Sequence, residues 1–139
     1  MAIVVDTNIL IAKHSLKDEK RERALEIVAE IVEGVHGTPY VSDYVLAEAV
    51  NYAVGRARTP RMAFDILEDV LGTSGPRWLV LLHIDEGIFA ESVTFFRATG
   101  ASRGLSLTDC TSVVLAGKYR ATRIASFDGG FDGLTERVG

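Results

Sequence analysis

The apolar positions of this chain fall into two kinds of run. Ala2-Ile3-Val4-Val5 is short and continuous, the pattern of a strand buried on both faces of a parallel sheet, and Asp6 closes it. A helical stretch is predicted to begin near Asn8 and to carry Ile9-Leu10-Ile11-Ala12. From Lys17 to Glu33 the period changes to that of a helix. Ala24, Ile27, Val28, Ile31 and Val32 form one stripe with charges opposite, and Gly34 and Gly37 mark the end. Thr38-Pro39-Tyr40-Val41 reads as extended, and Ser42 as the cap of a helix burying Val45, Leu46, Ala49, Val50 and Ala53. Pro60 opens another helix with Ala63, Ile66, Leu67 and Val70 inside; 72–76 is a loop and 78–84 a strand. Ile88, Phe89, Val93 and Phe96 line a helix that stops near Gly100. Ser106-Leu107-Thr108-Asp109 has capping-box spacing, and Ile124-Ala125-Ser126 is a short strand before the turn Phe127-Asp128-Gly129-Gly130. Strands alternate with helices throughout. The expected fold is therefore α/β, a mostly parallel sheet covered by helices on both faces, in one domain over 1–139.

Composition narrows the class. The chain is 47% hydrophobic and 24% charged, which excludes a disordered segment. No apolar run approaches the ~18 residues of a membrane span, and the N-terminal sequence is not a secretory signal. The single cysteine, Cys110, excludes a disulfide framework within the chain and fits a reducing, cytoplasmic setting. Cys110 sits on an inner helix face with Val113 and Val114 and reads as core; His83, inside a strand, reads as structural or partly buried. The net charge is −4, yet Arg56, Arg58 and Arg61 form a local basic segment without an acid among them. Arg97, Arg103, Lys118, Arg120 and Arg123 form a second set. Such patches suit a polyanionic substrate; solvated surface charge is the alternative.

In open parallel sheets, ligands sit beyond the carboxyl ends of the strands. Asp6 and Asp128 each follow a predicted strand, Asp109 lies in the first turn of a helix, and Glu48 lies near the start of another. All four carboxylates can face one crevice. Clustered carboxylates are what a magnesium or manganese ion takes as ligands, and such an ion can activate water for phosphodiester hydrolysis. Each acid also has a plainer reading. Asp6 can be a helix cap, Asp109 the acidic half of the capping box, and Asp128 a turn residue before two glycines. Glu48 shares its helix face with Tyr44, Asn51 and Tyr52, opposite the apolar stripe, and can be ordinary surface. There is no Gly-rich phosphate loop, no Cys/His metal spacing and no G-x-S-x-G elbow. An aspartyl-nucleophile phosphatase would also place an aspartate after the first strand, but it wants a second one two positions on, where this chain has Asn8.

Four segments together resemble the motifs of PIN-domain nucleases, in order and in spacing: Val4-Val5-Asp6-Thr7-Asn8-Ile9-Leu10, Ser42-Asp43-Tyr44-Val45-Leu46-Ala47-Glu48, Leu105-Ser106-Leu107-Thr108-Asp109 and Ile124-Ala125-Ser126-Phe127-Asp128-Gly129-Gly130. The resemblance covers essentially the whole chain. It implies an endoribonuclease dependent on Mg²⁺ or Mn²⁺ and acting on single-stranded RNA, with Asp6, Glu48, Asp109 and Asp128 as catalytic and metal-binding acids. It implies Thr7, Asn8 and Ser126 as polar support. Compact members of about this size are commonly VapC toxins, homodimers neutralised by a small antitoxin protein; a housekeeping RNA-processing nuclease is the other reading. Cys110 stands where the family commonly has a small residue such as alanine, and Asp132 is a further acid close to the fourth motif. Arg56, Arg58 and Arg61 are then candidate RNA contacts, since they follow the helix carrying Glu48. A stripe of Ile27, Ile31, Phe64 and Leu67 is the candidate surface for a second copy.

Overall fold

The computed structural model describes residues 1–73 and 75–139. Ser74, within the loop expected at 72–76, lies outside the described residues. Five strands form one sheet: β1 (Ala2–Val5), β2 (Thr38–Ser42), β3 (Val80–Leu82), β4 (Arg123–Ala125) and β5 (Glu136–Val138). Their order is β3-β2-β1-β4-β5 and every pairing is parallel. Among the described residues six α-helices accompany them: α1 (Thr7–His14), α2 (Arg21–Val32), α3 (Asp43–Gly55), α4 (Pro60–Leu71), α5 (Glu86–Phe95) and α6 (Leu107–Lys118).

β1 is central and wholly buried, as its uninterrupted apolar run requires. Its side chains alternate between two cores. Ile3 and Val5 enter the larger one with Ile9 and Leu10 of α1, Ile27 and Ile31 of α2, and inner residues of α3 and α4. Ala2 and Val4 enter the smaller one with Cys110 and Ala116 of α6, Ile124 and Phe131. The strand order reverses on either side of β1, so the carboxyl ends of β1 and β4 frame a switch-point crevice.

Several boundaries differ from expectation. The helix expected over 17–33 occupies only Arg21–Val32, because residues before it are spent in turns. The strand expected over 78–84 shrinks to Val80–Leu82: Trp78 is diverted to bond Asp69, and the Ile84 amide donates to Asp43. His83 therefore lies beyond the strand and is exposed, bonded to Asp43, rather than structural within it. The helix expected to stop near Gly100 loosens into a π-turn over Phe96–Gly100 and a 3-10 turn over Ala101–Arg103. Gly100 is needed at this position, since a Cβ there would stand 2.4 Å from the Sγ of buried Cys110. β5 has no counterpart in the sequence reading. The proposed stripe for a second copy is divided: Ile27 and Ile31 are in the chain's own core, Leu67 packs against that core, and Phe64 is exposed. Among the described residues no helix is long and apolar enough to cross a membrane.

Candidate functional site

Asp6, Glu48, Asp109 and Asp128 line one cleft of about 260 Å³, together with Thr7 and Asn8. Four elements supply them. Asp6 follows β1 and is the N-cap of α1; one oxygen accepts from the Thr7 amide at 2.8 Å. Asp109 completes a capping box at the start of α6, where Oδ2 accepts from the Ser106 amide at 2.8 Å and its own amide donates to Ser106 Oγ. Asp128 caps the 3-10 turn Gly129–Phe131 through Oδ1, which accepts from the Gly130 amide at 2.8 Å. Glu48 is on α3 and exposed, opposite the inward-facing stripe of that helix. The plainer reading of each acid is thus locally true, and the acids nevertheless converge. Each cap fixes one oxygen of Asp109 and Asp128, and the other oxygen has no hydrogen-bond partner among the described residues.

Ser126 joins the two central strands at this end of the sheet. Its hydroxyl donates to Asp6 Oδ2 at 2.7 Å and accepts from Asn8 Nδ2 at 3.2 Å and the Asp128 amide at 3.0 Å. Asn8 Oδ1 in turn accepts from the Phe127 amide at 3.1 Å. A serine and an asparagine thereby orient two acids far apart in sequence. Thr7 Oγ1 is buried beside the cleft with no hydrogen-bond partner among the described residues.

The electrostatics follow from this packing. Burial pushes the Asp6 carboxyl up to about 7; the Ser126 and Thr7 bonds oppose that, while the charges of Asp109 and Glu48 add to it. Asp109 is also raised, chiefly by burial, then by Asp128 and Glu48. Among the described residues no three Asp, Glu, His or Cys side chains stand close enough to grip one ion directly. A hard divalent cation still fits the donor set. Every available ligand is an oxygen, and one oxygen each of Asp109 and Asp128 lacks a hydrogen-bond partner among the described residues. Magnesium in particular is commonly held by one or two carboxylates with several waters retained.

The other singled-out residues separate. Arg56 lines a groove together with Glu48, whereas Arg61 pairs with Asp65 at 3.1 Å and lines a different groove with His14 and Lys17. Arg58 is exposed, with φ of +51°. Of the second basic set, Arg123 is engaged by Glu136 and His36. Arg103 donates to the carbonyls of Gly130 and Asp132, so it clamps the loop bearing Asp128. Arg137 supports the same loop through Asp132 and the Ser126 carbonyl. That bond holds the Asp132 carboxyl below its ordinary range and commits it to the loop. The sequence marks Arg103 only as one of a basic set and Arg137 not at all, because their partners lie far along the chain or across the β4–β5 pairing.

The model of the PIN domain matches residues 3–136. The chain belongs to the PIN-domain family. This PIN domain is 27% identical over 131 residues to a VapC ribonuclease of Archaeoglobus fulgidus, covering 94% of this chain and 80% of that protein. Its fold is similar to the crystal structure of Mycobacterium tuberculosis VapC20, a Sarcin-Ricin loop cleaving toxin, with a TM-score of 0.80, 21% identity, and 93% and 92% of the two chains covered. It is also similar to VapBC2 from Rickettsia felis bound to a promoter DNA fragment, at a TM-score of 0.64 and 18% identity over 99% and 98% of the chains.

Proposed function

We propose that this PIN domain is a metal-dependent endoribonuclease cleaving single-stranded RNA, and that it is the toxin of a VapBC-type toxin–antitoxin pair. The observation that carries the reading is the convergence of Asp6, Glu48, Asp109 and Asp128, from four separate elements, on one cleft at the carboxyl end of the sheet. The likeness to a curated VapC ribonuclease supports the RNA substrate and the toxin role. The four acids are the proposed catalytic and metal-binding set, with Thr7, Asn8 and Ser126 in support. A bound Mg²⁺ or Mn²⁺ supplies Lewis acidity and lowers the pKa of a bound water. The chain's own residues set the geometry. Ser126 and the Thr7 amide fix both Asp6 oxygens, and the caps at Asp109 and Asp128 leave one oxygen of each free for an ion or its water shell. A homodimer and a small antitoxin complete the proposal. An arginine of that antitoxin, pairing bidentately with two of these acids, would displace the ion.

The test is incubation of the purified chain with Mn²⁺ and labelled single-stranded RNA, beside matched DNA, duplex RNA and excess chelator. Cleavage of the single-stranded RNA alone, abolished by chelator, is the expected result. Cleavage that persists in chelator overturns the reading. Recovery of a small protein with the chain from its host tests the toxin role, and light scattering tests the dimer.

A further inference from the structure

Beside the acid cleft, and sharing Glu48 with it, runs an open groove of about 640 Å³ whose walls include Tyr44, Asn51, Tyr52 and Arg56 of α3 and the segment after it, with Thr108 of α6 opposite. From this groove we propose a nucleobase-stacking subsite in which Tyr44 and Tyr52 receive bases of the single strand on either side of the cleaved phosphate, and Arg56 receives a phosphate further along. The proposal rests on the ribonuclease reading and names how the substrate is held.

The spacing comes from the helix. Tyr44 and Tyr52 each lie four residues from Glu48, so all three share a face. Each tyrosine's backbone is about 6 Å from that of the glutamate along the axis, one on each side. Tyr52 is 38% exposed and Tyr44 is half-buried, so both rings sit on a firm helix and still present area to the groove. Any base has a π-face to lay on such a ring, which suits a strand of variable sequence. Asn51, exposed in the same groove, offers a donor and an acceptor to a base edge. Arg56 is exposed one turn beyond Tyr52 and holds no ion pair among the described residues, in contrast to Arg61. An acid cleft beside Glu48 and a cation beyond Tyr52 give the groove a direction for a polyanion. A partner helix would instead call for a stripe of aliphatic anchors, and here a glutamate interrupts the two large side chains.

The experiment uses the full chain carrying Asp6→Asn to suppress cleavage, with Mg²⁺ and a fluorescent single-stranded RNA. Binding is compared with oligonucleotides in which single positions are abasic. Tyr52→Ala is expected to weaken binding of the complete strand about tenfold. On the strand lacking the stacked base it should change affinity little, and Tyr52→Trp should restore the loss. Tyr44→Ala should show the same behaviour with a different abasic position. Equal losses on complete and abasic strands, or no loss at all, overturn the subsite. A change from dimer to monomer in Tyr52→Ala, read by sedimentation, also overturns it and assigns the face to a second copy. Failure of the parent chain to bind any single-stranded RNA defeats the ribonuclease reading and the subsite together; binding that survives Tyr52→Ala defeats the subsite alone.

Discussion

Two aspartates in this fold have been pushed in opposite directions. Asp6 rises to about 7, and Asp69 of α4 falls to about 2. Both are partly or wholly removed from water, and desolvation raises both, so burial alone does not separate them. The company does. Asp69 accepts from His14 at 2.9 Å, from Lys13, and from the Trp78 indole at 2.9 Å, and Lys13 also lies 4.8 Å over the Trp78 ring. Asp6 has only neutral donors, Ser126 and the Thr7 amide, and faces two further acids. The Asp69 cluster ties α1 to α4 and to the approach of β3. The Asp6 cluster gathers like charges, and among the described residues none of its acids forms an ion pair. A carboxylate group of the second kind costs stability unless something outside the chain neutralises it, and such clusters are enriched at functional sites.

Cleavage separates the two aspartates most strongly. Asp6→Asn is expected to reduce single-stranded RNA cleavage at least about a hundredfold, as loss of a group that helps place a metal Lewis acid should. Asp69→Asn, assayed at a temperature where it remains folded, should cleave nearly as the parent does. A gel assay of initial rates on both variants checks the pair, and equal losses would erase the distinction drawn between the two clusters.

The next largest effect is on stability. Asp69→Ala should cost about 2 kcal/mol, because Lys13, His14 and Trp78 lose their shared acceptor in a site that water still reaches. Urea unfolding at neutral pH measures this.

The two aspartates also respond to pH in opposite senses. For Asp69 the folded value lies below the ordinary 3.8, so its contribution is present above about 4 and is lost as pH falls through 2. For Asp6 the folded value lies above 3.8, so the folded state keeps a proton that the unfolded state has released. Stability of the metal-free chain should therefore fall as pH rises from about 4 to 7. Thermal unfolding in chelator should show that decline in the parent and a flatter profile in Asp6→Asn. Adding Mg²⁺ should recover stability mainly at the upper end of the range.

The smallest effect concerns the arginines. Arg56→Ala should flatten the logarithmic salt dependence of RNA binding by about 0.7, one single-strand phosphate contact. Arg61→Ala, whose side chain is paired with Asp65, should leave the slope unchanged. Titrations at several salt concentrations separate the two.

Much of this was legible from the chain alone, for identifiable reasons. β1 announced itself because a strand covered on both faces must be apolar at every position. The capping box at Ser106 and Asp109 and the cap at Ser42 were readable because they are local patterns of three or four residues. The convergence of the acids was legible from the alternation of strands and helices, which puts strand ends and helix starts on one side. What escaped depends on distant partners. β5 is three residues long and carries Arg137 and Val138 into a pairing with β4 that no periodicity reveals. The clamp of Arg103 on the Asp128 loop spans 27 residues of sequence. The π-turn at Phe96–Gly100 is set by packing, with Gly100 against Cys110.

The double duty proposed for the aspartates bears on how such a domain would lose its chemistry over generations. Positions 6, 109 and 128 each end or begin a helical turn, so drift there is confined to side chains that still accept a backbone hydrogen bond. Asparagine is the nearest of these, one atom away, and it keeps the cap while surrendering the charge. Glu48 has no such obligation on its exposed helix face. A silent descendant of this chain should therefore be recognisable by its spelling: amides at the three capping sites, and at position 48 almost anything that a surface helix tolerates.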